Sequence, residues 1–326
     1  MSDNNTHFVV ERPGVLSLIQ DAGRFGQTHL GLTQGGPADR FSFNWCHNLL
    51  GNAHTCSALE VVIGGLKLKS NCQTVGCVTG AETNVTVNGK LIPMWCTFVI
   101  NAGDVIEFGF AAKGLRSYFS VSGGFTIKPE FGSCSTVVRE KVGGLSGEPL
   151  KQGDKLPMLA IDDADSNTLP TLDSYTIDAK AIPTFESTVT LRVILGYQQD
   201  WFSDLDIRRF FCNNYQISKQ FDRMGYRLKG PKITANKTEM LSEGITLGAI
   251  QIPADGQPII LLNDRQTIGG YPKLGSVLSI DLDKLSQCKQ GDVVRFEAIT
   301  IEQAHNILHF EQHRQAQINI VKKACS

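Results

Sequence analysis

The sequence predicts a mainly β protein built as two barrel-type lobes with a few helices, and three observations lead there. Its 326 residues exceed what one hydrophobic core usually serves. Short apolar runs separated by turn residues fill most of the first half, as barrel or sandwich strands do. A segment in each half also reads alike, Gly103-Asp104-Val105-Ile106-Glu107-Phe108 and Gly291-Asp292-Val293-Val294-Arg295-Phe296. The echo fits duplication of a lobe; Gly-Asp turns into strands also recur in any β protein, as Gly153-Asp154 shows, and both readings stand.

Along the chain, the first helix is placed by Pro37 near its start and Gly51 just past its end, with Phe41, Trp45, Leu49 and Leu50 on one face. Strands are expected over 59–63, 96–100, 105–108 and 118–121. The runs 83–87 and 90–92 flank Asn88-Gly89, a pair that tolerates the positive φ of a type I′ hairpin turn. Residues 162–183, rich in Asp, Ser, Thr and Pro, read as a connection. The first lobe with this connection therefore takes residues 1–185, and the second, with a C-terminal helix, takes 186–326. A second helix should begin near Ser203, whose hydroxyl can cap it, and carries Leu205, Phe210 and Phe211. Pro258 to Leu262 is a buried strand. His305, His309 and His313 share a helix face, which reads as an exposed stripe or a metal stripe; without a nearby carboxylate-bearing strand, no metal site is expected.

Composition narrows the function. The 31 basic and 32 acidic residues nearly cancel, and no basic block gives nucleic acid or an anionic membrane a footprint, so a small-molecule ligand is expected. No apolar run nears the roughly 20 residues that span a bilayer. The start resembles no targeting segment, which gives a cytoplasmic expectation. Nine cysteines without CxxC pairing read as reduced thiols, not as disulfides or zinc ligands.

Common enzymatic signatures are absent: no P-loop, no GxGxxG after a strand, no HExxH and no GxSxG. Three segments dense in glycine and charge remain. In the first, Asp21 and Arg24 precede Gly36 and Asp39 at the mouth of the first helix, where backbone N–H groups can receive a carboxylate or phosphate. The same residues also suit a tight loop, with Asp21 and Arg24 paired locally and Asp39 starting the helix. In the second, Asp222-Arg223-Met224-Gly225 offers a guanidinium fork for a planar anion, or a strand end with surface ion pairs. The third is the strongest, because an apolar strand empties into Asn263-Asp264-Arg265-Gln266-Thr267-Ile268-Gly269-Gly270-Tyr271. There Asp264 can accept a proton, Arg265 can hold an anion, Gln266 can pair with an amide, and the Gly269-Gly270 backbone can donate to an oxyanion. Glu243, beside Gly244, adds a carboxylate, and Thr79 to Glu82 is a weaker glycine-bearing strand end. No histidine falls in these segments, so histidine-driven nucleophilic catalysis is not expected.

These segments resemble the family known as allophanate hydrolase subunit 2, or biotin-dependent carboxyltransferase. The likeness runs in order through 20–26, 35–40, 58–65, 79–82, 122–124, 132–136, 143–150, 222–228, 239–244, 248–253 and 264–272. Asn263 stands where the pattern has Ala, and Ile268 where it has Thr, which removes one hydroxyl. The resemblance implies cyclophilin-like β-barrel lobes with a cleft between them. It also implies one component of an enzyme, active only in complex, that helps open 5-oxoproline to glutamate using ATP with Mg²⁺. Its implied partners are the 5-oxoprolinase B subunit, which is allophanate hydrolase subunit 1-like, and the A subunit. On this reading Asp264, Arg265 and Gln266 are catalytic, while Arg223, Glu243, Gly269, Gly270, Tyr271, Asp21, Arg24, Gly36 and Asp39 bind substrate. Two alternatives accompany it: carboxyl transfer from carboxybiotin to urea, and a non-enzymatic regulator that binds a kinase inhibitor. The chain has no Met-Lys-Met biotin-acceptor motif, so biotin is not expected on it.

Overall fold

In the computed structural model, residues 6–159, 174–237 and 240–323 are described. The connection expected over 162–183 therefore lies largely outside the described residues. The chain divides into two compact units: residues 1–25, 35–184 and 318–326 form unit 1, and residues 26–34 and 185–317 form unit 2.

The strands of unit 1 begin with β1 (His7–Pro13), β2 (Leu16–Gln20), β3 (Ala58–Val62), β4 (Leu66–Ser70), β5 (Thr74–Glu82) and β6 (Val85–Val87). They continue with β7 (Lys90–Ile92), β8 (Thr97–Ile100), β9 (Val105–Phe108), β10 (Lys113–Val121), β11 (Lys155–Pro157) and β12 (Ser174–Ile177). Two sheets result, ordered β11-β1-β4-β9-β6-β7 and β2-β3-β10-β5-β8. Phe8, Val10, Leu66, Leu68, Val78, Phe108 and Phe119 fill the core of this unit. Helix α1 (Arg40–Leu50) lays Phe43, Trp45, Cys46 and Leu49 on a second cluster with Val75, Cys77, Trp95 and Tyr118. The turn between β6 and β7 has Asn88 at φ 52° and Gly89 at φ 79°, the two positive values a type I′ turn requires.

Unit 2 contains β13 (Thr188–Leu195), β14 (Tyr215–Phe221), β15 (Gly225–Lys229), β16 (Glu243–Gly244), β17 (Ala249–Gln251), β18 (Ile259–Leu261), β19 (Ile268–Gly269), β20 (Lys273–Val277) and β21 (Val293–Ala298). Seven of these close a barrel in the order β13-β20-β17-β18-β15-β14-β21, and β16 pairs with β19 as a separate ribbon. Inward residues such as Leu191, Tyr215, Tyr226, Ile250, Ile260, Leu274 and Val294 pack its core. Helix α2 (Asp204–Cys212) is capped by the Ser203 hydroxyl, which accepts from the Asp206 N–H. Helix α3 (Asp281–Ser286) was not anticipated from the sequence. Its first residue, buried Asp281, takes the Arg192 guanidinium through both carboxylate oxygens, at 2.8 and 2.6 Å. Helix α4 (Ile301–Ala316) starts in a capping box of Thr300 and Gln303 and leaves His305, His309 and His313 exposed. A last strand, β22 (Ile320–Lys323), belongs to unit 1 and pairs with β12.

The protein is thus mainly β, as expected, with a closed seven-stranded barrel in unit 2. No helix among the described residues is long and apolar enough to cross a membrane.

Candidate functional site

The site develops where β18 ends. The chain leaves the barrel at Leu262, whose N–H donates to Met224 O, and Asp264 N–H donates to Arg223 O at 2.8 Å, so the 222–225 turn and the 262–265 turn lie side by side. This brings Arg223 against Asp264 in a two-pronged ion pair, Nε to Oδ2 and Nη2 to Oδ1, each 2.9 Å. Both residues are nearly buried, at 6% and 5% exposure. Desolvating two charges is costly, and this fork geometry is what offsets the cost. Arg265 turns the other way and donates to the backbone carbonyls of Ile245 and Leu262, at 3.2 and 3.3 Å. Its guanidinium thereby ties the 262–265 turn to the segment that follows β16.

Glu243 lies in β16 directly across from Gly269 in β19. Its Oε1 accepts from the Tyr197 hydroxyl, from the Lys273 ammonium and from Gln198 Nε2, the last at 2.8 Å. The hydrogen bonds from Lys273 and Tyr197 hold the Glu243 carboxyl below its usual range, and the same contact pushes the Tyr197 phenol up. Gln198 Oε1 accepts the Lys273 N–H at 2.7 Å, which locks the amide orientation. Tyr197 itself is 73% exposed, so this cluster ends in a phenol at the surface. Beside it, Gln266, Ile268 and Tyr271 are exposed. Gly269 is required by space: a Cβ there would stand 2.5 Å from Ile245 Cδ1 and 3.0 Å from Gln251 Nε2.

The candidates therefore separate. Arg223, Glu243, Asp264, Arg265, Gln266, Gly269, Gly270 and Tyr271 collect in unit 2, whereas Asp21, Arg24, Gly36 and Asp39 lie in unit 1. Asp21 accepts from Ser133 Oγ and Ser135 Oγ, both at 2.6 Å, and from the N–H groups of Cys134 and Gly23. Burial alone would raise its pKa, but these four donors outweigh burial and hold the carboxyl below its usual value. Arg24 donates to the carbonyls of Glu130, Ser133 and Ser135. Each of the two therefore engages the 130–135 segment. Asp39 caps α1 by accepting from Ser42 N and Ser42 Oγ, so its own carboxylate meets the N-terminus of that helix. Gly36, at φ 84°, brings its backbone so close that a Cβ would lie 3.1 Å from Ala22 O.

Four residues of the unit 2 cluster escaped the sequence reading: Tyr197, Gln198, Gln251 and Lys273. Gln251 left a legible mark, a lone amide inside the apolar run Ala249-Ile250-Gln251-Ile252. The others sit in no motif and are assembled only by the path of the barrel strands.

Two turns from neighbouring barrel strands are thus tied by a buried ion pair, and the class of protein that carries them is given by its relatives. The chain belongs to the family described as carboxyltransferase domain, subdomain A and B, whose model matches residues 30–298. It is 33% identical over 287 residues to the C subunit of 5-oxoprolinase from Haemophilus influenzae, covering 88% of this chain and 89% of that protein. The corresponding Escherichia coli protein is 31% identical over 295 residues, covering 90% and 91%. The crystal structure of the K. lactis urea amidolyase superposes with a TM-score of 0.86 at 26% identity, over 94% of this chain and 19% of that much longer one.

Proposed function

We propose that this chain is one component of an ATP-dependent 5-oxoprolinase, acting with its B and A subunits to open 5-oxo-L-proline to L-glutamate. The observation that carries this reading is that its likeness to the two 5-oxoprolinase C subunits extends over 89% and 91% of their lengths. The chemistry of unit 2 supports it. A lactam is resonance-stabilised, so its opening requires the carbonyl oxygen to be polarised or phosphorylated and the ring held in place. Arg223 and Asp264 are bound to each other, so their part is to position the turn that carries Gln266, Gly269 and Gly270. Gln266 and Tyr271 meet the substrate from the exposed side, and Glu243 holds the Lys273 ammonium beside Gly269.

ATP with Mg²⁺ supplies the driving force of this reaction. Among the described residues, no group of three His, Cys, Asp or Glu side chains stands together to hold a metal ion, and Glu243 is already met by three donors. Glu243 therefore offers no open carboxylate to the Mg²⁺ of a bound nucleotide, a metal that takes one or two carboxylates beside the phosphates. Reconstitution tests the whole: the chain with its sister subunits should hydrolyse ATP only when 5-oxoproline is present, while the chain alone should not. Full turnover by the isolated chain would refute the dependence on partners.

The likeness to the K. lactis urea amidolyase favours a second reading, carboxyl transfer from a biotin carried on another chain. Avidin separates the two. It should leave 5-oxoproline-dependent ATP hydrolysis unchanged, and inhibition would decide for carboxyl transfer.

A further inference from the structure

Within unit 2 one buried polar group has no evident structural use. Gln251 is 5% exposed, and among the described residues its Nε2 has no hydrogen-bond partner. Its two chain neighbours, Ile250 in β17 and Ile252 just after the strand, belong to the barrel core, so alternation turns Gln251 to the opposite face. That face also carries Ala249, which packs with Ile245, Leu261 and Ile259 in a small apolar cluster. An amide donor left unmade in such surroundings is a net cost to the fold, and a Leu or Met of similar size would carry no such penalty. The amide is aimed at the underside of the β16–β19 ribbon, since the site of a Gly269 Cβ lies 3.0 Å from Nε2. In the ladder Gln251 stands opposite Lys273, whose ammonium is held by Glu243, the partner of Gly269.

We propose that Gln251 is a recognition residue that donates its Nε2–H to the carbonyl oxygen of an amide-type ligand, lactam or urea, admitted when the β16–β19 ribbon opens. The inference rests on the functional reading above and extends it to the substrate class of this site. The donor is uncharged, so it suits a neutral carbonyl better than a phosphate. The charged forks nearby are engaged, Arg223 with Asp264 and Arg265 with two backbone carbonyls. The ribbon is short: two residue pairs, Glu243 with Gly269 and Gly244 with Ile268, and one further bond from Ile245 N to Thr267 O at 3.0 Å, with Tyr197, Gln198 and Lys273 on Glu243 and Arg265 on Ile245 O as its side-chain ties. So short a ribbon opens at far lower cost than the barrel beneath it. Lys273, freed from Glu243 in the open form, can then meet the ligand's carboxylate where there is one.

The test uses the chain co-purified with its sister subunits. Wild type, Gln251→Leu and Gln251→Met are titrated calorimetrically with 5-oxoproline, with urea, and with proline, which keeps the ring and carboxylate but lacks the lactam carbonyl. Ligand-free melting temperatures are measured alongside. Both substitutions should weaken binding of the carbonyl ligand at least tenfold while the melting temperature holds or rises, and proline should not bind. Ligand should also slow hydrogen exchange at the Ile245 N–H in wild type. Whichever of 5-oxoproline and urea binds wild type identifies the carbonyl source. Equal affinity of wild type and both variants overturns the inference alone, as does a loss of affinity that tracks a loss of melting temperature in both. A wild type that binds neither compound overturns it together with the functional reading.

Discussion

The Arg223–Asp264 pair shows why a charged motif need not be a catalytic one. Two oppositely charged partners, each under a tenth exposed, are joined through two bonds, so removing the Asp264 charge takes that counter-charge from a buried guanidinium. Asp264→Asn should therefore cost about 3–5 kcal/mol of stability, read as a lower urea midpoint, with activity falling in step. An unchanged midpoint with activity lost would instead put the Asp264 carboxylate on the ligand. The strand end that carries this candidate site was legible, since five apolar residues running into Asn263-Asp264-Arg265-Gln266 announce a strand that empties into polar groups, and β18 lies there. The pairing was not legible. Arg223 and Asp264 lie 41 residues apart, and which side chains meet depends on β15 and β18 lying next to each other, which no local spacing encodes.

At the scale of elements, turns were the most readable features because their chemistry is local. Asn88-Gly89 turned as expected, and the Gly-Asp echo has a geometric explanation. Gly103, Gly153 and Gly291 have φ of 90°, 89° and 90°, and the Asp after each accepts from the N–H three residues back, in Asn101, Lys151 and Lys289. All three are one turn, each leading into a strand, so the echo alone does not separate duplication from recurrence. Helix α3 stayed hidden because six residues with two aspartates carry little periodicity, and its place is set by the tertiary contact with Arg192. Helix α1 carries a consequence of its burial. His47 is fully buried against Phe43, and desolvation, with a smaller contribution from the charge of His54, pushes its pKa down to about 4. An unfolded histidine titrates near 6.5, so between these values the unfolded chain binds a proton that the folded one does not. The stability is therefore complete above about pH 6.5 and is lost as pH falls toward 4. At about 1.4 kcal/mol per unit, the loss by pH 5 is roughly 2 kcal/mol. Urea midpoints at pH 7.5 and 5 should differ accordingly in wild type, and His47→Gln should remove most of that difference; an unaltered pH dependence in the variant would assign it to other groups.

For the whole molecule, the order of the sequence and the order of the structure part company at the C-terminus. Residues from Ile318 onward follow unit 2 in sequence but belong to unit 1, where β22 pairs with β12 over four residues, Ser174 with Lys323 to Ile177 with Ile320. Ile318 packs on the cluster that contains Trp45, Trp95 and Ile177. Ile320 and Val321 remain about half exposed, so the strand contributes mainly backbone hydrogen bonds. Four paired residues at about 0.5–1.5 kcal/mol per bond amount to a few kcal/mol at most. Deleting the chain from Ile318 onward should consequently destabilise unit 1 and spare unit 2. The three tryptophans allow the two to be read apart, because Trp45 and Trp95 lie in unit 1 and Trp201 packs against the unit 2 core. In a Trp201→Phe background the fluorescence midpoint in urea should fall on truncation. With Trp45→Phe and Trp95→Phe instead, the Trp201 midpoint should not move, and a parallel fall of both reporters would show that the two units unfold as one.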